Sequence, residues 1–367
     1  MQLKFQRDAL LKPLALTTGF VEKKQTMPIL SNVYLRKQGD LVTIIANDME
    51  IQATLLVKSG IEGDDLAITV PAKKLQDVLK ALPETEVVLS ITDNKVTVKS
   101  GRAKFTLQSL PADHYPLLRV NEDCIGQLVI SQRNLRELIS KVQYSMAVND
   151  SRVFLNGMLL EVKNNQLSLV ATDAHRLSYV NFPLADMLPD ISSIVPRKTV
   201  MELARLLEDS DNPVTIKVYN NQVMFETEDK QLITKVIDGK YPDYERVIPL
   251  TNDKLCLINR QELLRVVQRV AVIGIDKLKT IVLELKPNLI TVSCRNEDQE
   301  ESRDELSIQY GNDAELRLNF NISYILDVLN NIDEENLQWA FFDNQRSVLV
   351  TVPNQVDFKY VIMPLRA

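Results

Sequence analysis

Apolar residues recur at helical spacing in VPAKKLQDVLKAL (70–82), where Leu75, Val78, Leu79 and Leu82 form one stripe. The pattern returns at VPRKTVMELARLL (195–207) and FNISYILDVLNNI (320–332), 125 residues further on each time. Pro71 and Pro196 suit a first helical turn, where a missing N–H costs nothing. A second kind of helix precedes each copy, entered from a short alternating strand: LKFQRDALLKPL from Leu3, LVISQRNLRELISKV from Leu128 and LCLINRQELLRVVQRV from Leu255. Pro13 lies inside the first of these and predicts a kinked or shortened helix.

Segments of alternating polarity follow every helix in threes. After the first helix of each repeat they are NVYLRKQ, LVTIIAND and IQATLLV; GMLLEVK, QLSLVATD and RLSYVNF; TIVLELK, LITVSCR and ELSIQY. After the second they are EVVLSI, KVTVKS and KFTLQS; VTIKVY, QVMFET and LITKVI; LQWAFF, SVLVTV and FKYVIM. Joints at Asn94-Lys95, Asn164-Asn165 and Asn220-Asn221 predict tight hairpins. The unit is therefore strand, helix and three strands, used six times. This predicts an α+β fold of three repeated domains, each with two helices on one face of antiparallel sheets. The boundaries fall at 1–120, 121–250 and 251–367, with linkers at 118–126 and 249–254.

A chain of 367 residues, 45% hydrophobic and 25% charged, is ordinary for a globular protein of this size. No apolar run reaches the length of a membrane span, and MQLKFQRDALL carries charges where a signal peptide needs its apolar core. Cys124, Cys256 and Cys294 are far apart and make no CxxC pair, which predicts reduced thiols in a cytoplasmic protein. His114 and His175 fit no metal motif, and neither GxGxxG nor GxxxxGK[ST] occurs. No catalytic residue, metal or cofactor is expected.

The net charge of −6 argues against indiscriminate binding to nucleic acid, but the charge is unevenly placed. Taken as 7–18, 71–82, 131–146, 196–208, 259–272 and 322–332, the six helices hold fourteen basic and seven acidic side chains. Lys and Arg favour helices, yet so does Glu, which is not enriched. A positive helical layer on an acidic body would contact phosphates without reading bases. No aromatic residues interleave with the cations, so single-strand stacking is not indicated.

VPRKTVMELARLL, LNGMLLEV, ATDAHRL, DGKYPDYERVIP, FNISYILDVLN and the terminal YVIMPLRA resemble, in order and almost end to end, the bacterial DNA polymerase III beta subunit family, the sliding clamps. The resemblance implies a head-to-tail homodimer closed into a ring around double-stranded DNA, with helices facing the central lumen and sheets outside. It implies a non-catalytic processivity factor that tethers the replicative polymerase. DNA-contacting positions would be Lys24, Lys73, Asn149, Arg152, Phe154 and Lys198; Lys24 and Asn149 stand where Arg and Gln are commoner, and Phe154 lacks a Tyr hydroxyl. A partner-peptide pocket would comprise Leu155, Thr172, Ala174, His175, Arg176, Leu177, Pro242, Arg246, Val247, Gln345, Ser347, Val361, Met363, Pro364, Leu365 and Arg366. Ala174 and Gln345 replace a Gly and a Val, implying a tighter, more polar pocket. Its partners would be the polymerase III alpha subunit, the clamp loader delta subunit, and other polymerases and repair factors carrying short peptide motifs. The ring joint would use Lys74, Arg102, Lys104, Phe105, Leu107, Val272, Ile273, Glu300 and Glu301.

Two further expectations concern the last strand. Alternation should bury only every second residue there, and the tail from Met363 should carry little backbone pairing. The rival reading, an enzyme using Asp173, His175 and Arg176, lacks a second carboxylate or a nucleophile in a nearby motif. A scaffold without a DNA role would leave the basic helices unexplained.

Overall fold

The computed structural model describes residues 1–21, 27–58, 60–83, 85–120, 123–274 and 280–365. Six modules of strand, helix and three strands follow one another. The first two are β1 (Gln2–Gln6), α1 (Arg7–Thr17), β2 (Asn32–Gln38), β3 (Leu41–Asn47) and β4 (Ile51–Val57), then a short β5 (Ile61–Gly63), and β6 (Leu66–Pro71), α2 (Ala72–Ala81), β7 (Glu86–Thr92), β8 (Lys95–Ser100) and β9 (Ala103–Gln108). The middle pair is β10 (Gly126–Ser131), α3 (Gln132–Val142), β11 (Gly157–Lys163), β12 (Gln166–Thr172) and β13 (Arg176–Pro183), then β14 (Ile191–Pro196), α4 (Arg197–Leu206), β15 (Pro213–Val218), β16 (Gln222–Glu226) and β17 (Lys230–Lys235). The last pair is β18 (Lys254–Asn259), α5 (Arg260–Ala271), β19 (Thr280–Lys286), β20 (Leu289–Arg295) and β21 (Glu301–Ser307), then β22 (Leu316–Asn321), α6 (Ile322–Asn330), β23 (Asn336–Phe341), β24 (Val348–Val352) and β25 (Gln355–Ile362).

The chain forms two compact units, residues 1–136 with 198–236, and residues 137–197 with 237–367. The first contains a five-stranded sheet ordered β5-β1-β7-β8-β9 and an eight-stranded sheet ordered β10-β15-β16-β17-β4-β3-β2-β6. The second contains an eight-stranded sheet ordered β14-β11-β12-β13-β25-β24-β23-β18 and a four-stranded sheet ordered β21-β20-β19-β22. The named strand pairs are antiparallel. Each eight-stranded sheet is joined at its middle by one long-range pairing. β4 meets β17 with Ala53 opposite Leu232, and β13 meets β25 with Ser178 opposite Tyr360.

The helices follow the expected spacing with small changes. α2 buries Ala72, Leu75, Gln76 and Leu79, while Val78 is only half-buried. The first residue of the first helix in each repeat closes the end of the second, where backbone groups lack helical partners. Arg7 Nη1 donates to the Leu82 carbonyl at 2.8 Å, and Arg260 Nη1 donates to the Leu329 carbonyl at 2.8 Å. In the middle repeat, Gln132 Oε1 accepts from the Glu208 backbone N–H at 3.0 Å.

Four expectations are corrected. α1 runs through Pro13 and keeps eleven residues, as many as α3, so the proline does not shorten it. The third strand after α5 is Glu301–Ser307, not ELSIQY: the β20–β21 hairpin turns at Gln299 (φ 63°) and sets Val292 opposite Asp304. That strand is charged because it is a sheet edge, whereas Ile308 and Tyr310 beyond it enter the core. Tyr360, Val361 and Ile362 are all buried, because β25 is covered on both faces: Tyr360 and Ile362 join the cluster around Trp339, and Val361 joins another with Leu159, Leu177 and Tyr241. At the hairpins, Asn164 and Asn165 both take φ > 0 (51° and 58°), but at the first joint Asp93 does so in place of Asn94.

Candidate functional site

The β12–β13 corner is fixed by its own side chains. Asp173 Oδ1 accepts from the His175 and Arg176 backbone N–H groups at 2.9 and 3.0 Å. Thr172 Oγ1 accepts from Ala174 N at 3.1 Å and donates to the Arg176 carbonyl at 2.6 Å. These bonds hold Ala174 at φ 73°, a conformation that a side chain makes costly and a glycine would adopt freely. His175 is thereby turned outward and Arg176 inward.

Arg176 is buried and fully engaged. Its Nε donates to Asp173 at 3.1 Å, Nη1 to Asp327 of α6, and Nη2 to the Tyr144 carbonyl. The guanidinium also lies over the Tyr324 ring, 4.4 Å from its centre. Burial opposes its charge, but the surrounding Tyr360, Asp327 and Asp173 outweigh that and hold its pKa above the ordinary value. Arg197, which donates to the Met146 carbonyl at 3.2 Å, is shifted the other way by burial and by Arg176 nearby. Arg176 is a structural strut, not an acid or base.

Beside the corner opens a cavity of about 540 Å³. Of the expected pocket residues, Leu155, Thr172, Ala174, His175, Arg176, Leu177, Pro242, Arg246, Val247, Ser347, Val361 and Met363 line it. Gln345, Pro364 and Leu365 do not; they line a separate polar cavity of about 720 Å³ with Arg317, Asn319, Asn344 and Arg346. Arg366 lies outside the described residues. Sequence reasoning missed Tyr244 in the lining, whose hydroxyl donates to Glu161 Oε2 at 2.6 Å and whose ring stacks on Tyr179. The tail is also more tied than expected. Met363 N donates to the His175 carbonyl at 2.9 Å and Leu365 N to the Asn319 carbonyl at 2.7 Å.

The residues expected to touch DNA fall in both units. Lys24 lies outside the described residues. Lys73 is exposed on α2, beside Lys74 and about two turns from Lys80. Lys198 is half-buried and its ammonium meets the buried Asp48 carboxylate. Asn149 is exposed at φ 56°. Arg152 is held by Asp150 through Nε at 3.0 Å and Nη2 at 2.8 Å, and this pairing holds the Asp150 carboxyl down at about 2. Arg152 and Phe154 both line the pocket. The basic layer is thinner than the sequence count: Arg7 and Arg260 close helix ends, Arg197 serves backbone carbonyls, and Arg133 pairs with Asp209 and Asp211. α6 carries no cation.

At the joint positions, β9 and β21 are both edge strands. Lys74, Arg102, Lys104, Glu300 and Glu301 are exposed, as are Phe105 and Val272, while Leu107 and Ile273 are half-buried. Among the described residues, no cluster of His, Cys, Asp and Glu could hold a metal ion, and no helix is long and apolar enough to cross a membrane.

Models of the DNA polymerase III beta subunit match nearly the whole chain in three parts: the N-terminal domain over 1–119, the central domain over 129–243 and the C-terminal domain over 245–366. The beta sliding clamp of Pseudomonas aeruginosa is 39% identical over 368 residues, and that of Escherichia coli K12 is 34% identical over 367, each covering both chains completely. A crystal structure of the P. aeruginosa DNA polymerase sliding clamp superposes with a TM-score of 0.92 at 38% identity, again over all of both chains. The repeated helix-on-sheet modules are thus those of a non-catalytic clamp of DNA replication. The chain belongs to the DNA polymerase III beta subunit family. Members of this family act as dimeric sliding clamps that encircle DNA and tether the polymerase, and this chain is such a clamp and not an enzyme.

Proposed function

We propose that this clamp closes as a head-to-tail homodimer by pairing β9 of one copy with β21 of the other. What carries the reading is a rule that the sheets already follow twice. The third strand after the first helix of a repeat pairs with the third strand after the second helix of the next repeat: β4 with β17, β13 with β25. The two strands left over by that rule are β21 and β9, both sheet edges. Two heterologous contacts of one kind would then close a two-membered ring.

The same rule supplies a register. Ala53, Ser178 and Ser302 stand at one position, opposite Ala46, Ala171 and Cys294. Leu232, Tyr360 and Phe105 stand at another, opposite Phe225, Val350 and Val98. Leu232 faces Ala53 and Tyr360 faces Ser178. Phe105 should therefore face Ser302 of the partner subunit, a large side chain over a small one as at the other two joints. Arg102 then falls opposite the partner's Glu305, with Val272 and Ile273 adding apolar surface and Lys74, Lys104, Leu107, Glu300 and Glu301 around them.

In this reading the chain has three clamp domains, at 1–120, 121–250 and 251–367, with helices toward the lumen. Lys24, Lys73, Asn149, Arg152, Phe154 and Lys198 approach the phosphates, without base preference. The cavity over Leu177 and Val361 takes short apolar peptides of the polymerase alpha subunit, the clamp loader delta subunit, and other polymerases and repair factors. It is the right kind of site: concave, mostly apolar, with few polar groups. The clamp would work in the cytoplasm. Size-exclusion chromatography of Phe105→Ala with Ile273→Ala tests the joint: folded monomers are expected, and a persistent dimer at micromolar concentration would place it elsewhere.

A further inference from the structure

Two corners of this chain are built alike, one in each unit, and one of them is filled. In the first unit Asp48 Oδ1 accepts from Glu50 N and Ile51 N at 2.9 and 2.8 Å, and Met49 takes φ 75°. That is the arrangement of Asp173, His175, Arg176 and Ala174 in the second unit. A Tyr-Pro step lies on each. The Tyr115 hydroxyl donates to the Ile45 carbonyl at 3.4 Å and the Tyr241 hydroxyl to the Val170 carbonyl at 3.3 Å, at matching positions of β3 and β12.

After the proline the two chains part. In the second unit the backbone turns off into a single 3-10 turn, Tyr244–Arg246, and the cavity over Leu177 stays open. In the first unit it continues over the corner. Asn47 Nδ2 donates to the Pro116 carbonyl at 2.8 Å. Leu118 N donates to Gln52 Oε1 at 2.9 Å, and Gln52 Nε2 donates back to the Leu118 carbonyl at 3.5 Å. Val120 packs on Tyr219, Met224 and Ile233. By strand pairing, Gln52 holds the position of Leu177, and Ile233 that of Val361.

We propose that the first corner is a second peptide groove of the clamp, kept closed by the chain's own segment 116–120, with Gln52 as its latch. It would take an extended peptide with apolar side chains two residues apart, as Leu118 and Val120 are. This rests on reading the Leu177 cavity as a peptide pocket. The physical cause is a difference of one side chain. The buried primary amide of Gln52 satisfies both backbone polar groups of one residue, the N–H and the carbonyl of Leu118, and lifting the segment would leave that amide unpaired. Leu177 offers nothing for its own linker to bond to, so its apolar surface is left for a foreign chain. Of these two corners only the one at Leu177 is left open.

Hydrogen exchange on the full-length dimer tests the latch. In Gln52→Leu the amides of 117–120 should exchange about tenfold or more faster, while those of β3 and β4 are unchanged. The groove is tested in Leu118→Pro with Val120→Ser, which removes the backbone N–H that Gln52 accepts from and the side chain packed on Tyr219, Met224 and Ile233, titrated by calorimetry with a synthetic peptide of residues 113–120. One more site per chain than in the unaltered protein is expected, and adding Gln52→Leu should remove it. Unchanged exchange in Gln52→Leu overturns the proposal, as does a folded vacated variant that gains no site. If the vacated variant melts at working temperature, the exchange result alone decides. Loss of the peptide reading at Leu177 would show separately, as failure of the unaltered protein to bind polymerase-derived peptides.

Discussion

Tyr360 of β25 stands directly opposite Ser178 of β13, and its hydroxyl crosses to the Tyr324 carbonyl at 3.0 Å. The large-over-small pairing recurs at Leu232 and Ala53. Extended to two copies, it predicts that Phe105→Cys with Ser302→Cys cross-links under mild oxidation into a species of twice the chain mass on non-reducing gels. Phe105→Cys alone should not. Cross-linking that is equally efficient with Arg303→Cys in place of Ser302→Cys would mean the strands pair in another register, since Arg303 projects from the opposite face.

DNA affinity should depend most on Lys73. Lys198 and Arg152 already carry carboxylate partners, Asp48 and Asp150, and must exchange them to meet a phosphate. Replacing Lys73 by Ala should weaken binding alike on all sequences and lower the salt slope by about one unit. The Lys198→Ala change should cost less, because the Asp48 carboxylate competes with the phosphate for that ammonium. Fluorescence anisotropy across a salt series reads both; a sequence-dependent loss would point to base readout.

The Asp150–Arg152 pair sets a pH limit. The folded carboxyl titrates at about 2, below the ordinary carboxylate range, because Arg152 bonds it. A depressed folded value means that the pair's contribution is present above the unfolded pKa of about 4 and is lost as pH falls through the folded value. Binding of duplex DNA should therefore show no step from this pair between pH 5 and pH 8. NMR titration of the Asp150 carboxyl checks it; a midpoint near the ordinary value would mean the pair does not form in solution.

The thiols separate by burial. Burial pushes the Cys256 thiol up to about 12 and raises Cys294, whereas Cys124 is exposed. Thiolate is the reactive form. Native protein should react quickly with Ellman's reagent at one cysteine of the three, and unfolded protein at all. Two fast thiols in the native state would mean that the core around Cys256 or Cys294 opens.

Truncation after Ile362 should now cost more than strand position suggested. It removes the Met363–His175 and Leu365–Asn319 backbone bonds together with Met363 from the pocket wall. A loss of about 1–2 kcal/mol is expected for two such bonds, leaving a folded dimer. Peptide affinity should fall sharply. Urea unfolding beside peptide calorimetry checks both; unchanged affinity would rule out this cavity as the peptide site.

Much of the fold was legible because the sequence repeats itself. Helical spacing at Leu75 and Leu79, repeated at Ile325 and Leu329, places helices wherever their stripes must be buried. Strands failed where burial departs from simple alternation. β21 is charged along its length, so the alternation of ELSIQY is the stronger strand signal, and only the register with β20 reveals the strand. Twelve of the residues expected together line one cavity, but Gln345, Pro364 and Leu365 line another, and Tyr244 was missed because its place depends on a 3-10 turn that no periodicity encodes. Charge counts overstated the basic face, since composition does not tell an arginine facing solvent from Arg260 capping a helix end. The filled corner at Gln52 was invisible, because a lone glutamine in a strand carries no pattern.

A ring closed around DNA through β9 and β21 should be held topologically. The direct measurement is retention of the Phe105→Cys, Ser302→Cys clamp, oxidised after assembly on nicked circular plasmid, through a wash in 1 M salt that screens phosphate contacts. The cross-linked dimer is expected to stay on the circle and to leave when one restriction cut linearises it. Release from the intact circle, or retention on the linear molecule, would contradict it.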